Sequence, residues 1–566
     1  MTKLILIAVA GMDWPGFDAS TRSGTLPHLA KLREQGIAGS VTGAPVGEGL
    51  AGYASLAAGV QPETHGVWRG LEAWGGGLRP TGRASWRAPP LWARLEAAGI
   101  STGSVGWLAI RPGADWAGVH LDETFAEPTG RTAADWALPL ACAPAHLREA
   151  IVALRVHPAQ ITTAAIRGFI PQLDKIDQSK PTPLPALALA VARAATNQAG
   201  AVWLMNESKP DAVFVFHSLL GQVRAVSEPQ AEQAYIAAIK PAWQFTDALI
   251  GRLAEVAGND ALVMVVSPGW RGRAGVVLAA GSATQHAPDF LGADLLDIAP
   301  TVLGFFGLQA ADLTGRALTP VRQKTPLVPA PSPPLAEQIQ PDADLLRIAA
   351  ENGFPPPPAA PLLWQSQGLA ELGVILLKRT PDAAAQVTAE ALRLNPDNIT
   401  ALRIRGTALF ALERAAELLD LAEALERNAP QRGWGALARG AHHILRKEPA
   451  LAAPWLTKAE ADPDIETKLT VAAAWLVAER PVPAERLFKA VLAAQPANVS
   501  AEIGVAITAS IRRDFLGAEA TLKQAIGHDP GRSEIYQMLA QIYAETGRRE
   551  EAERMTKIAQ QLGIRS

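Results

Sequence analysis

Five prolines in similar local settings punctuate the C-terminal third of the chain: Pro396 (NPDN), Pro430 (APQR), Pro463 (DPDI), Pro496 (QPAN) and Pro530 (DPGR). Their spacings are 34, 33, 33 and 34 residues. A fixed period of this length marks stacked supersecondary units, none of which can bury its apolar face alone. Unrelated helices with chance prolines do not hold four consecutive intervals within one residue. The last unit places Tyr536, Leu539, Ala540, Tyr543, Gly547, Ala552 and Ala559 at the small and large packing positions of a helix–turn–helix pair. Ala518 with Ala525, and before them Ala484 with Phe488, recur upstream. About five units are expected across 360–566, forming an all-α solenoid with a concave groove suited to a protein partner.

Upstream of the repeats the residue pattern changes. Residues 319–334 read TPVRQKTPLVPAPSPP, and a second proline run fills 355–358. A proline-rich linker over 319–359 is expected, with a short helix at 342–353. Before it, apolar or β-branched runs at 4–10, 212–216, 261–266 and 276–279 alternate with helical stretches such as 27–35, 90–98 and 230–257. That alternation predicts an α/β domain over 1–318, with a mainly parallel sheet covered by helices on both faces. Residues 70–209 are less regular and are expected to form a cap. The opening run LILIAVA is followed at once by GMDWP, so it reads as a buried strand rather than a secretion signal.

Composition removes several function classes. A single cysteine, Cys142, excludes an internal disulfide framework and any cysteine-based zinc or iron–sulfur site. A formal charge of −3 shows no basic excess for nucleic acid. No apolar run reaches transmembrane length, and a cytoplasmic location is the expectation. Nothing in the sequence sets an oligomeric state.

The repeats resemble the tetratricopeptide repeat. The first domain resembles the type I phosphodiesterase/nucleotide pyrophosphatase branch of the alkaline phosphatase superfamily. That second resemblance rests on LILIAVAGMDW, on the stretch from Tyr53 to Gly66 ending Pro-Glu-Thr-His-Gly, and on PLWARLEAAG followed by Gly106-Trp107. It rests most on the closing signature LLDIAPTVL, Gly307-Leu308 and DLTGRAL ending at Leu318. The resemblance implies two divalent metals, usually zinc, held by Asp and His, and a Thr or Ser nucleophile. Each metal needs anionic or imidazole donors.

At each position that can be aligned, this chain lacks the residue that the resemblance implies. Ala10 stands for the first Asp, and Gly49 for the nucleophile. Leu220 and Arg224 stand for the central Asp-x-x-x-His pair. Pro268 and Gly269 stand for the Asp-His of the late strand. Asp13, Glu48, His217 and His286 are the polar neighbours of these positions, and Glu48, as a base, and His217, as a ligand, could form a rearranged single-metal site. Arg224, Arg271 and Arg273 would bring guanidinium groups toward the same place, where they could bind phosphate without metal or simply face water. His65 reads as a hydrogen-bonding strut, and neither Ser55 nor Ser267 has a His–Asp pair at readable spacing.

Three readings follow. The first is a catalytically inactive phosphodiesterase-like scaffold, adaptor or regulatory subunit without cofactor, binding proteins through its repeats. The alternatives are a metal-dependent hydrolase with a rearranged site, with zinc as the natural metal, and a metal-free sensor of a phospho-ligand.

Overall fold

The computed structural model describes residues 2–42, 49–74, 77–110, 118–128, 132–136, 142–176, 182–228, 233–331, 333, 361–377 and 380–563. The helix expected at 342–353 lies outside them. Two compact units emerge from the contacts, Met1–Leu71 with Arg79–Pro356, and Glu72–Leu78 with Pro357–Ser566.

The first unit is built on a nine-stranded sheet. Its strands in chain order are β1 (Leu4–Val9), β2 (Gly36–Thr42), β3 (Thr102–Trp107), β4 (Val119–Asp122), β5 (Cys142–Ala143), β6 (Ala212–His217), β7 (Leu262–Ser267), β8 (Gly275–Ala280) and β9 (Ala287–Asp294). Their spatial order is β9-β2-β8-β7-β1-β6-β3-β4-β5. Pairing is parallel from β7 through β1, β6 and β3 to β4, and between β2 and β9; β8 runs antiparallel to both of its neighbours, as β5 does to β4. The β1 run is apolar throughout because both faces are covered. Ile5, Ile7 and Val9 enter one core cluster, while Leu4, Leu6 and Ala8 enter the other. Each fully buried Leu or Ile contributes roughly 2 kcal/mol of transfer free energy.

The helices that matter for the site are α1 (Trp14–Arg22), α2 (Pro27–Gln35), α3 (Leu50–Ala58), α4 (Leu91–Ala97), α5 (Leu184–Trp203), α6 (Leu219–Ser227), α7 (Ile239–Ala257) and α8 (Ile298–Phe305). The first, second, fifth, sixth and seventh cover the Val9 face; α3, α4 and α8 cover the other. Aromatic edges fix that second layer, with Trp92 at 5.8 Å from both Trp107 and Phe214. Residues 70–209 are therefore not a cap set apart from the sheet. They supply β3, β4 and β5 together with α4 and α5, which cover it. Gly103, Gly106 and the polar Thr102 and Ser104 obscure β3 in the sequence, since small residues weaken a strand pattern. Gly103 is used for a close approach, because a Cβ there would lie 2.7 Å from Leu204 Cδ2.

The closing signature does packing work. Asp297 accepts from the Asp294 and Arg316 amides at 3.1 and 2.7 Å, and Thr301 Oγ1 accepts from Leu318 N–H at 2.8 Å. A Cβ at Gly315 would fall 2.0 Å from Leu296 O. Asp312 ties this segment to α4 through Arg94, whose Nη1 donates to Oδ1 at 3.1 Å.

The second unit contains twelve helices among the described residues: α9 (Pro361–Leu377), α10 (Pro381–Leu394), α11 (Ile399–Ala411), α12 (Ala415–Asn428), α13 (Trp434–Leu445), α14 (Pro449–Ala459), α15 (Ile465–Val477), α16 (Pro481–Ala494), α17 (Val499–Ile511), α18 (Phe515–His528), α19 (Ser533–Glu545) and α20 (Arg549–Gly563). These make six pairs where about five were expected. The five periodic prolines sit in the turns between pairs, so they separate six units. Within pairs the turn uses a left-handed residue, Glu413, Lys447, Glu479, Arg513 or Gly547, at φ between 56° and 80°. Asn398, Asp464 and Asn498 cap the following helices by accepting from the amide three residues on.

Candidate functional site

Open parallel sheets carry ligands beyond the carboxyl ends of their central strands. Here the ends of β1, β6 and β7 adjoin, bringing Ala10-Gly11, His217-Ser218 and Ser267-Pro268 together; Ala10 N–H donates to His217 O at 2.9 Å. Gly11 has φ +81°, and a Cβ on it would lie 2.5 Å from Gly221 Cα. A Cβ on Gly221 would lie 2.9 Å from Ala10 Cβ. The first turn of α6 thus lies directly on the turn after β1. Leu220, one of the substituted positions, is fully buried in the core beneath it.

Above that contact sits an ion-pair network. Asp13 is 1% exposed, caps α1 by accepting from Gly16 N–H at 2.8 Å, and receives Arg224 Nη1 at 2.9 Å. Arg224, 4% exposed, also donates from Nη1 to Gly11 O at 2.8 Å and from Nε to Glu228 Oε1 at 2.8 Å. Its guanidinium carbon stands 5.1 Å from the Trp270 ring centroid, and Trp270 Nε1 donates to both Glu228 oxygens at 3.0 and 2.9 Å. Arg273 Nη1 reaches Asp13 Oδ2 at 3.1 Å, while the half-exposed Arg271 reaches Glu228 at 3.4 Å. Arg224 therefore neither faces water nor extends into an open pocket. It is a buried cross-link between the turn after β1, α6 and the loop after β7.

The late-strand positions are equally committed. Gly269 has φ +112°, its amide donates to Ser267 Oγ at 3.3 Å, and a Cβ there would be 2.2 Å from Arg273 O. A tight return at 270–273 follows, with Arg271 and Gly272 at positive φ. A histidine side chain does not fit at position 269. Gly49 caps the start of α3 with extended backbone and has nothing within 4 Å of a Cβ. Glu48 lies outside the described residues. His217 is 1% exposed, neither ring nitrogen has a hydrogen-bond partner among the described residues, and burial pushes its imidazole down to about 4. It shares the face of Val213 and Val215. Among the described residues, no three His, Cys, Asp or Glu side chains are grouped to hold a metal ion. The donor set and the Gly11–Gly221 contact thus do not fit the two-metal centre that the resemblance implies, and no catalytic step follows from it.

Ser55 and His65 look like a nucleophile and base, with Oγ and Nε2 2.9 Å apart. The hydrogen bonds argue otherwise. His65 Nδ1 accepts from Val67 N–H at 3.0 Å, so Nε2 carries the proton and donates toward Ser55. Both residues are fully buried, and desolvation pushes His65 down to about 3. The pair is a strut joining α3 to the Pro-Glu-Thr-His-Gly turn.

Sequence reasoning named Asp13, Arg224, Arg271 and Arg273 but not the pairing of these arginines with Asp13 and Glu228, while His286, also named, is exposed just before β9. Glu228, four residues after Arg224, was legible as a helical i,i+4 partner. Trp270 gave no such signal.

The chain thus holds an α/β domain built on a mainly parallel sheet, followed by a helical solenoid. Residues 4–268 match the family described as type I phosphodiesterase / nucleotide pyrophosphatase, and residues 511–560 match the tetratricopeptide repeat. The chain is a fusion of these two kinds of domain. No curated protein matches it by sequence. Among solved structures, the human IFIT1 dimer with PPP-AAAA is 16% identical over 34% of this chain and 49% of that chain, at a TM-score of 0.30. The chain spans about half the length of that protein. PilW, a type IV pilus biogenesis factor, is 19% identical over 36% and 94%, at 0.29. A tetratricopeptide repeat protein from Parabacteroides merdae is 20% identical over 39% and 85%, at 0.29. Likenesses at these scores carry no argument about function.

Proposed function

We propose that this chain is a catalytically inactive phosphodiesterase-like protein, working without a bound metal as a scaffold, adaptor or regulatory subunit in the cytoplasm. Protein partners dock on the concave face of its repeats. The observation that carries the reading is the Asp13–Arg224–Glu228 network. Where the resemblance implies anionic donors awaiting cations, this chain places a buried guanidinium that consumes its own carboxylates. A cation introduced beside Arg224 meets like charge, and Ala10, Leu220 and Gly269 offer it no side-chain donor.

Metal analysis of the full chain tests this directly. Well below one equivalent of zinc or manganese is expected after dialysis, with no chelator-sensitive turnover of a chromogenic phosphodiester. Two tightly held equivalents, or turnover lost on adding chelator, would sink the proposal. A phospho-ligand sensor keeps one supporting observation: three arginines meet only two carboxylates, and Arg271 stays half exposed. Thermal stabilisation by inorganic phosphate that disappears in Arg271→Ala would favour it.

A further inference from the structure

A recess of about 380 Å3 opens between α2 and α7 of the sheet domain. Val263 near the start of β7 and Ala280 at the end of β8 form part of its floor, at the end of the sheet away from Ser267 and the Asp13–Arg224 network. Its walls are built into the fold. Asp247, 2% exposed on α7, accepts from the His28 and Leu29 amides at 3.2 and 2.7 Å and so pins the first turn of α2. A Cβ on Gly251 would lie 2.3 Å from His28 Cγ and Nδ1, so the imidazole lies against the bare backbone of α7. Gly258, at φ +83°, ends α7 with nothing within 4 Å of a Cβ, which leaves that side of the recess clear.

Polar groups without partners line it. Lys31 is exposed and makes no ion pair among the described residues, and the side chains of His28, Gln35 and Asn259 have no hydrogen-bond partner among them. Glu255 is the acid in the lining, and Arg252 Nη1 already pairs with it at 3.3 Å. Glu34 and Asp260 adjoin the recess in sequence but do not line it. One unneutralised cation therefore stands on the α2 wall. The opposite end is acceptor-rich: the Glu255, Val256 and Ala257 carbonyls at the close of α7 accept no backbone N–H among the described residues. These carry the negative end of the helix dipole.

We propose that this recess binds a small polyhydroxylated anion. Its phosphate or carboxylate sits against Lys31 and His28, and its hydroxyl groups bond Gln35, Asn259 and the last carbonyls of α7. The polarity fixes this orientation, because an anion at the α7 end would meet unpaired carbonyls while hydroxyls there find acceptors. An apolar guest would strip water from an ammonium and two amides without replacing it. The volume lies within the range of about 300–1,000 Å3 that small-molecule sites use.

Isothermal titration calorimetry of the full chain with glucose 6-phosphate, gluconate and glucose tests the proposal. At least one of the two anions should bind with a Kd of about 1 mM or tighter, and comparing them tells phosphate from carboxylate. Glucose, lacking the charge, should bind about tenfold more weakly or worse. Lys31→Glu should weaken the anion about tenfold or more, and Asn259→Trp should block the recess to a similar extent. Both positions are exposed, and an unchanged circular dichroism spectrum would confirm folding. Arg271→Ala should bind as the parent does, which separates this recess from any phosphate site at the Asp13 network. The proposal is overturned if neither anion binds, or if glucose binds as tightly as the anions. It is equally overturned if either Lys31→Glu or Asn259→Trp binds as the parent does, or if Arg271→Ala abolishes binding.

Discussion

Replacing Arg224 with Met separates a structural cross-link from a ligand-binding arm. In the folded chain Arg224 gives hydrogen bonds to Gly11 O, Asp13 Oδ2 and Glu228 Oε1, all at 2.8–2.9 Å, from a position 4% exposed. Methionine preserves much of the apolar stem but leaves the Asp13 carboxylate buried. Breaking a buried pair by deleting one partner costs about 3–5 kcal/mol, because the remaining charge is stranded. Asp13 keeps the Gly16 amide and the partly exposed Arg273, which places the expected cost near the lower end, about 3 kcal/mol. For a unit of roughly 350 residues that lowers its transition by about 4 °C. Differential scanning calorimetry of the full chain is the assay, with the solenoid transition as internal control. Asp13→Asn retains an N-cap oxygen while removing the charge, so Arg224→Met/Asp13→Asn should be less destabilised than the two singles summed, by about 2 kcal/mol. A shift of under about 2 °C for Arg224→Met would refute the cross-link argument. So would strict additivity in the cycle.

Three further outcomes rest on other parts of the structure. His65 and His217 are held neutral by burial, down to about 3 and about 4. Their folded values lie below the unfolded value, so the stability they leave intact above pH ~6.5 is lost as pH falls toward 4. Urea unfolding at pH 7 and pH 4.5 should differ by about 2–3 kcal/mol per histidine, His217→Leu should remove one share, and a flat profile would contradict the argument. Asp529 in the solenoid has the opposite sign: desolvation raises its carboxyl to about 6. Asp529→Asn should therefore stabilise the chain at pH 7.5 by about 2–3 kcal/mol and leave it unchanged near pH 4; an equal effect at both pH values would exclude titration as the cause. Gly11→Ala forces a Cβ to 2.5 Å from Gly221 Cα at φ +81°, and should cost at least about 3 kcal/mol in the same calorimetry; a neutral result would show that α6 can move away.

How far the sequence reaches can be judged from individual residues. Periodicity alone supplied the solenoid, because Pro396 through Pro530 mark where one pair must end and the next begin. It also located β1, β6, β7 and β8, since strands buried on both faces need unbroken apolar runs. It misjudged β3 and β4, whose Gly, Thr, Ser and His residues pack closely or bond within the sheet domain; Ser104 Oγ, for example, lies 2.9 Å from His120 Nδ1. The substitutions at Ala10, Leu220 and Gly269 were readable one by one as absent donors. What took their place was not readable. Arg224 meets Asp13 across 211 residues of sequence, and Arg273 meets it across 260. Local chemistry specifies which groups carry charge, but only the chain's return through β6 and β7 decides which charges meet. The sequence by itself determined the two architectures and the residue types at the altered site. The tertiary structure alone decided that these residues close on one another, since burial and pairing are properties of neighbours in space.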